Sequence, residues 1–357
     1  MRKIAVLLLF VIVFAECKDP GSGGSGSGGS GGGSASIGDR ETVTVGSASF
    51  DMIYVQDQDS VTFPTGTGDS STQALTTKFF MSETEVTNAV VAEVYQWAYD
   101  HNRFDTTNVS AHNYLSTTTV KHGGQELLDL DYSYCKVNYD GSGHFTADNG
   151  YDDHPVVRIS WYGAVIFCNW LTEMRDGNAA NVVYGGIATN WIHTNTTEDV
   201  TKNGYRLPGR YEWEYAARYR SDSTNTVSGY SNPWYTRGHS ASDATTFHNN
   251  NSSGGGEPGK SANNAVGVYS YYWNGSSWTA TGVTELATVK TKRANDLGLF
   301  DMSGNVREWC FTQSDSYRIY RGGDWNSSAI YLQVGGVYRD HPHLEYYDLG
   351  FRLCRTK

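Results

Sequence analysis

The 357-residue chain lacks an excess of basic residues, because its 27 Lys and Arg face 38 Asp and Glu, for a formal net charge of −11. A nucleic-acid partner would require a basic face, so this balance argues against one. No apolar stretch of the sequence reaches the roughly 20 residues needed to cross a bilayer. The chain has only 7 Pro and 18% charged residues, against 25 Tyr, 10 Trp and 13 Phe. Such a composition can bury a sizeable core and argues against global disorder.

Cysteine is also scarce, with five residues in the whole chain. None has a CxxC or zinc-type spacing, so the sequence indicates no zinc site. One of the five lies near the N-terminus. In an exported protein the other four can form disulfides in three pairings or remain buried thiols, and the sequence leaves both open. These four are Cys135, Cys168, Cys310 and Cys354.

The chain begins with a segment typical of bacterial lipoproteins. Two basic residues precede an unbroken apolar run at residues 4–14, which is too short to span a membrane. Cys17 follows, although Glu16 replaces the small residue that is usual before a lipidated cysteine. We predict a signal peptide over residues 1–16, lipidation at Cys17, and attachment to the bacterial outer membrane at the cell surface. A plain secretory signal with an incidental cysteine is the alternative.

A linker follows this cysteine. Residues 21–34 consist only of Gly and Ser, which form a flexible coil. An engineered spacer is the alternative to a native tether. We predict that residues 17–36, the lipidated cysteine plus the linker, hold a single domain, residues 37–357, clear of the membrane.

Apolar spacing predicts three helices in this domain. The first follows Thr87 or Asn88, either of which can cap it. The second begins after Ser160 and ends at Gly177, and a short third helix covers residues 212–218.

Strands are predicted around residues 50–55 and 79–81, where apolar residues cluster. Residues 100–150 and 221–290 are rich in polar residues and glycine, so they are predicted to be mostly loop. That much loop is unusual in one domain and indicates a functional use.

Six motifs occur in a fixed order along the chain. They are residues 85–88 (EVTN), 155–161 (PVVRISW), 205–208 with 212–218 (YRLP and EWEYAAR), 295–310 (NDLGLFDMSGNVREWC), 321–323 (RGG) and 350–352 (GFR). Together they resemble the formylglycine-generating-enzyme, or sulfatase-modifying factor, family over roughly residues 48–355. The resemblance implies an α+β fold: a loop-rich, C-type-lectin-like domain of the formylglycine-generating-enzyme type, with few helices and short antiparallel strands.

The resemblance also bears on metals and catalysis. A segment like GNVREW holds a structural calcium in some members, which makes Asn305, the Val306 carbonyl and Glu308 candidate ligands here; a plain turn is the alternative. No other cofactor is expected. The family's oxidase chemistry needs two copper-binding cysteines after the RGG motif. The matching positions are Ser327 and Leu332, so we predict the fold without the enzyme; an oxidoreductase with a divergent active site is the alternative.

The C-terminal region, residues 321–352, has an unusual composition. Residues 326–348 contain no Met, Trp or Lys, and apart from Gln333 and Glu345 every residue there can be encoded by a codon ending in a pyrimidine. Random replacement of adenines in asparagine codons draws from that set. In a lectin-like domain, this region resembles that of the variable proteins of diversity-generating retroelements, the treponemal ones above all, in which selected positions change on a fixed scaffold.

This resemblance implies that the varied positions bind the ligand. We predict these variable positions to be Asp324, Asn326, Ser327, Ser328, Ile330, Tyr331, Leu332, Val337, Tyr338, Asp340, His341, His343, Leu344, Tyr346, Tyr347 and Asp348. The fixed frame between them is predicted to be Trp325, Ala329, Gln333, Val334, Gly335, Pro342, Glu345 and Leu349.

The residue types in this region favour binding. Its tyrosines provide amphipathic contact area with few rotors to immobilise, as in antibody binding sites, and its Ser, Asn, Asp and His residues provide adaptable hydrogen bonds. We therefore predict a surface-displayed, non-catalytic lipoprotein that binds a ligand, expected to be a protein.

Three other interpretations are weaker. His341 and His343 have an HxH spacing found in metal sites, but no third ligand is evident, so they are predicted to be surface histidines. Ser327, His341 and Asp340 could form a hydrolase triad, but no nucleophile-elbow motif accompanies them. Carbohydrate binding through calcium lacks the lectin signature.

Overall fold

The structure, a computed structural model, describes residues 35–66, 71–219, 264–274 and 276–357. These residues belong to one compact unit that begins at Ala35. The predicted signal peptide, Cys17 and the glycine–serine linker lie outside the described residues. Within the described ranges, no helix is both long and apolar enough to cross a membrane.

Three α-helices form at the predicted places: α1 (Asn88–Asp100), α2 (Trp161–Asp176) and α3 (Arg210–Arg218). Helix α2 has both predicted caps, because the Ser160 hydroxyl accepts a hydrogen bond from the Gly163 amide at 3.0 Å and Gly177 ends the helix with φ of 69°. For α1 the predicted cap position is confirmed, but the predicted capping hydrogen bond is wrong. Thr87 occupies the N-cap position, but its side chain makes no capping hydrogen bond.

The part of the chain that the structure describes also contains 19 short strands and two 3-10 helices, at His193–Asn195 and Ala329–Leu332. The strands are β1 (Arg40–Val45), β2 (Ala48–Gln56), β3 (Val61–Thr65), β4 (Ser71–Leu75), β5 (Phe79–Ser82), β6 (Thr119–His122), β7 (Gln125–Asp129), β8 (Val137–Tyr139), β9 (Phe145–Ala147), β10 (Tyr184–Gly185), β11 (Thr197–Glu198), β12 (Tyr205–Arg206), β13 (Tyr271–Trp273), β14 (Trp278–Ala280), β15 (Arg307–Ser314), β16 (Tyr317–Arg321), β17 (Tyr338–Asp340), β18 (Leu349–Gly350) and β19 (Cys354–Thr356).

Two sheets organise these strands. An antiparallel five-stranded sheet has the order β1-β2-β5-β19-β12, so the C-terminal strand β19 lies between β5 from the N-terminal part of the domain and β12 from its middle. A four-stranded sheet has the order β17-β16-β15-β18, and β18 joins β15 in the parallel direction. The other strands form two-stranded hairpins. The predicted α+β class with few helices and short strands is confirmed.

The core is aromatic, as the composition indicates. Trp213, Trp309 and Phe351, all in the sequence motifs, are fully buried. Helix α2 is buried along nearly its whole length, which explains why its apolar residues surround the helix instead of forming one stripe. The four described cysteines are buried free thiols, so the thiol alternative holds in this structure.

Candidate ligand-binding face

Buried arginines fix both ends of the C-terminal region. At the RGG end, the Arg321 guanidinium lies 2.5 Å from the Glu214 carboxylate and donates to the carbonyl oxygens of Val334 and Gly336, at 3.2 and 2.8 Å. At the GFR end, Arg352 donates to both carboxylate oxygens of Glu308. Ion pairs removed from water need this degree of hydrogen bonding to be tolerated. The region between them is therefore attached to the core at both ends.

Glycine is required where the region leaves strand β16. Gly323 has φ of 74°, and a Cβ atom at this position would lie 2.7 Å from the carbonyl oxygen of Tyr331. Only glycine fits both the backbone conformation and the space. The close approach positions the 3-10 helix Ala329–Leu332 against the RGG turn.

Exposure differs between the two predicted classes of residue. Of the predicted variable positions, all but three are half-buried or exposed. Of the predicted frame positions, all but Gln333 and Glu345 are buried. The division made from sequence therefore follows the division between surface and core in most cases, while the assignment of these residues to ligand binding stays a prediction.

The three predicted variable positions that are buried are Asp324, Leu332 and Asp348. Leu332 is 1% exposed and packs with Tyr269, Tyr272 and Ala329. A side chain enclosed in this way cannot contact a ligand, so we exclude Leu332 from the face. Asp324 and Asp348 are buried side by side at the base of a cleft.

This cleft has a volume of about 410 Å³ and lies within the C-terminal region. It is lined by Arg307, Tyr320, Gly323, Asp324, Asn326, Ser327, Ser328, Tyr331, Tyr338 and Asp348. Seven of these are predicted variable positions. Sequence reasoning missed Arg307 and Tyr320, which reach the cleft from strands β15 and β16, because it considered only the residues after the RGG motif.

The charged groups at the base of the cleft are arranged around Arg307. Its guanidinium forms an ion pair with Asp348, and its Nε atom lies 3.5 Å from an oxygen of Asp324. Burial, together with repulsion from Asp348, raises the pKa of Asp324 to about 6. Although burial disfavours the charge of Arg307, the carboxylates of Asp348 and Asp324 raise its pKa overall. Two carboxylates and one guanidinium leave the base with a formal charge of −1 at neutral pH.

Tyrosine rings form one wall of the cleft. Tyr320 and Tyr338 stack with centroids 5.8 Å apart, and Tyr331 contacts Tyr338 at 5.4 Å. Burial and the neighbouring Tyr331 raise the pKa of Tyr338 to about 12, so its hydroxyl stays protonated. The Arg307 guanidinium lies 4.9 Å from the Tyr320 ring centroid, and this cation–π contact holds the Tyr320 ring in place.

The hydrolase triad considered from sequence is not assembled. The Ser327 hydroxyl donates to Asp324 at 2.6 Å, and Asn326 Nδ2 bonds the Tyr347 hydroxyl at 2.8 Å. His341 instead contacts the Tyr317 ring at a tilt, with centroids 4.5 Å apart, and stacks on His343 at 5.5 Å. Across the described ranges, no group of three or more His, Cys, Asp or Glu side chains could hold a metal ion.

Comparison with known proteins identifies the domain. The family model of the sulfatase-modifying factor enzyme 1-like domain matches residues 39–357. The chain belongs to this family. Among curated relatives of this sulfatase-modifying factor domain, a chaperone protein, LppX, from Paenibacillus barcinonensis is 29% identical over 228 residues, 58% of this chain and 71% of that protein. A formylglycine-generating enzyme from Thermomonospora curvata is 24% identical over 213 residues, 57% of this chain and 51% of that enzyme.

A solved structure resembles this sulfatase-modifying factor domain along most of its length. It is Treponema denticola variable protein 1, with a TM-score of 0.56 and 22% identity, covering 89% of this chain and 99% of that one. At 22% identity, this structural similarity is evidence for the fold alone. The predicted C-type-lectin-like fold of the formylglycine-generating-enzyme type is thereby confirmed.

The calcium site that the sulfatase-modifying factor family implies does not fit the residues present. Both carboxylate oxygens of Glu308 accept hydrogen bonds from Arg352, and one also accepts from the Trp213 indole at 2.6 Å. The Asn305 side-chain oxygen accepts from the Ala287 amide at 2.9 Å. A calcium ion needs several such oxygens unengaged. The two side chains predicted to bind calcium together with the Val306 carbonyl, Asn305 and Glu308, therefore do not favour the ion, because protein donors already engage both of them.

A copper site of the sulfatase-modifying factor type also does not fit. Ser327 stands at the cleft, Leu332 is buried, and no cysteine is among the residues that line the cleft. Cys310 and Cys354 lie in the core without solvent exposure. A thiolate-bound Cu(I) therefore has no ligands at this place.

Proposed function

We propose that this protein is a surface-displayed lipoprotein that binds a protein ligand through its C-terminal face and catalyses no reaction. The observation that carries the proposal is the exposure pattern of the C-terminal region. Residues of many chemical types face the solvent, whereas most of the residues between them are buried and the ends are fixed by Arg321 and Arg352. A rigid body that carries chemically mixed surface loops is suited to recognition.

The names of two similar proteins support binding instead of catalysis. The structural neighbour from Treponema denticola is called a variable protein, and the relative from Paenibacillus barcinonensis is called a chaperone protein. Neither name denotes an enzyme. A binding role like the ones these two names describe is assigned to this chain only as part of the proposal.

The ligand-binding test is a selection for new binders. A library of the full chain is randomised at the exposed or half-buried positions Asn326, Ser328, Tyr331, Val337 and His343, displayed on yeast, and selected against hen lysozyme. We expect the selection to yield variants that bind lysozyme and are as stable as the native protein, because the randomised side chains contribute little to the core. If a well-folded library yields no binder to lysozyme or to a second protein target, the face does not serve recognition.

We further propose that a diversity-generating retroelement mutates this region. The gene should lie near a reverse transcriptase and a near-copy of its 3′ end that is rich in asparagine codons. Sequences from several isolates should differ at the predicted variable positions other than Leu332 and agree at the frame. Differences spread evenly over Trp325, Val334 and Leu349 would contradict diversification.

Attachment to the outer membrane through Cys17 is the third part of the proposal. Radioactive palmitate should label the full chain in bacteria, and the substitution Cys17→Ala should abolish the label. Protease added to intact cells should remove the domain if it stands at the cell surface. Labelling that survives the substitution would overturn the anchor.

Family membership favours one other function, a sulfatase-modifying-factor-like oxidoreductase with a divergent site. It predicts conversion of cysteine to formylglycine in a sulfatase-type peptide when copper and oxygen are supplied. We expect no conversion, because no thiol lines the cleft. Mass spectrometry of the peptide distinguishes the two functions.

A further inference from the structure

The hairpin of strands β13 and β14 presents aromatic residues on one side and buries one on the other. Tyr272 points inward and packs with Ala329 and Leu332 of the C-terminal region. Its neighbours in the strand alternate to the opposite side, where Tyr271 is 45% exposed. Trp278, on the partner strand, is 48% exposed. Because both side chains lie on the same side of one hairpin, they form a contiguous exposed aromatic patch, which is the kind of surface that marks a contact site.

Backbone contacts join this hairpin to the proposed ligand-binding face. The amides of Ser270 and Tyr271 both donate to the Ser327 carbonyl, at 2.9 and 3.3 Å, and Tyr271 forms a β-bridge with Ser328. The Ser270 hydroxyl donates to the Trp325 carbonyl at 2.7 Å. Ser327 and Ser328 also line the cleft, so the hairpin and the cleft share one rim.

The exposed side of the hairpin is aromatic, and its rings pack against each other. Trp278 packs edge-on against Trp273 with centroids 5.6 Å apart, in the β13–β14 pairing. The polar side chains of the turn bond to each other: Asn274 Nδ2 donates to the hydroxyls of Ser277 and Thr279, at 3.3 and 2.9 Å. The Asn274 amide is therefore used within the hairpin, which leaves mainly aromatic surface on this side and favours apolar side chains of a protein as the contact.

We infer that Tyr271 and Trp278 form a constant aromatic anchor for the protein ligand of the C-terminal face. This inference rests on the proposed function. The anchor lies outside residues 321–352, so it stays the same when the variable positions change. It provides contact area common to all ligands, and the residues around the cleft select among them. Tyrosine and tryptophan are the residue types that most often dominate binding energy in interfaces.

The experiment introduces Trp278→Ala and Tyr271→Ala into about a dozen independent lysozyme binders from the library. Each binder should lose about tenfold or more in affinity with Trp278→Ala, whatever its variable sequence. The conservative Trp278→Tyr should keep most of the affinity. Val109→Ala is the matched control, because Val109 is an apolar residue that is 70% exposed and lies elsewhere in the chain; it should change affinity by less than about twofold. Thermal melts of each variant confirm folding.

The outcomes separate the two proposals. Binders whose affinity is unchanged by both substitutions, or is reduced in only some of them, would overturn the anchor and leave the proposed function intact. Binding of cellopentaose or chitopentaose that disappears with Trp278→Ala, without any effect on lysozyme binding, would overturn it in favour of a sugar platform. A library without any binder would remove the proposed function, and the anchor with it.

Discussion

Arg352 and Glu308 form a bidentate ion pair with no solvent exposure: Nε and Nη2 of the arginine each lie 2.7 Å from a carboxylate oxygen. Glu308 belongs to the GNVREW motif and Arg352 to the GFR motif, so the pair joins two of the sequence motifs through the core. The same arginine donates to the carbonyl oxygens of Ser82 and Phe300. This one side chain therefore fixes the end of the C-terminal region to strand β5, through Ser82, and to strand β15, through Glu308.

Replacing Glu308 by Gln should therefore destabilise the domain strongly. The substitution leaves the Arg352 charge buried without its partner, which typically costs about 3–5 kcal/mol. Urea unfolding followed by circular dichroism measures the free energy of unfolding. Arg339→Ala, which breaks the exposed pair with Asp315, is the control and should have little effect. Equal stability of the two variants would mean that Glu308 and Arg352 are not paired as described.

The hydrogen bonds of Glu308 also predict the response to calcium. Because Arg352 and Trp213 occupy its carboxylate oxygens, adding calcium or EDTA should leave the melting temperature unchanged within error. Differential scanning fluorimetry with both additives measures this. A calcium-dependent rise that Asn305→Ala abolishes would restore the site implied by the family.

Leu332 should behave as a core residue although the composition places it among the variable ones. Leu332→Ala removes a side chain enclosed by Tyr269 and Tyr272 and should cost about 2–5 kcal/mol. Val337→Ala, at a predicted variable position that is 42% exposed, should stay within about 0.5 kcal/mol of the native free energy of unfolding. If both variants have the same stability, the 3-10 helix does not pack on the hairpin as the structure has it.

These residues illustrate what the sequence could predict. The caps of helix α2 are local, because Ser160 and Gly177 each act within a few residues, and both were found. The motifs give the family and therefore the fold. Burial of Leu332 depends on Tyr272, which is distant in sequence, and codon composition does not distinguish a buried position from an exposed one.

The hairpin and the cleft floor were missed for different reasons. Strands β13 and β14 lie in a stretch predicted to be loop, and each has only three residues. The Asn274-Gly275 pair between two aromatic stretches is a hairpin signal that could have revealed them. Arg307 has no comparable signal. It reaches the cleft only because β15 pairs with β18 at Leu349, next to Asp348.

The four described cysteines should titrate as buried thiols. Burial raises the pKa of Cys135 to about 12 and that of Cys310 well above its ordinary value. With Cys17 replaced by Ser, Ellman's reagent should find no reactive thiol in the native protein and four after unfolding in guanidinium without reductant. Fewer than four would reveal a disulfide formed on export.

Glu345 should make stability fall as the pH rises. Burial, with the nearby carboxylates of Glu126 and Asp129, raises its pKa to about 9, whereas an unfolded chain returns it to about 4.5. Between these values Glu345 binds more protons in the folded protein than in the unfolded one, so its contribution to the free energy of unfolding decreases from about pH 4.5 up to about pH 9. In the variant Glu345→Gln, the glutamine side chain has nearly the shape of a protonated glutamic acid but cannot ionise. The variant should gain at least about 1 kcal/mol in free energy of unfolding over the native protein at pH 8, with a gain that shrinks towards pH 4.5.

Urea unfolding at several pH values checks this, with Glu285→Gln at an exposed position as the control that should show no such trend. A gain that is the same at every pH would mean that ionisation of Glu345 is not its cause, because only a titrating group links stability to pH in this way.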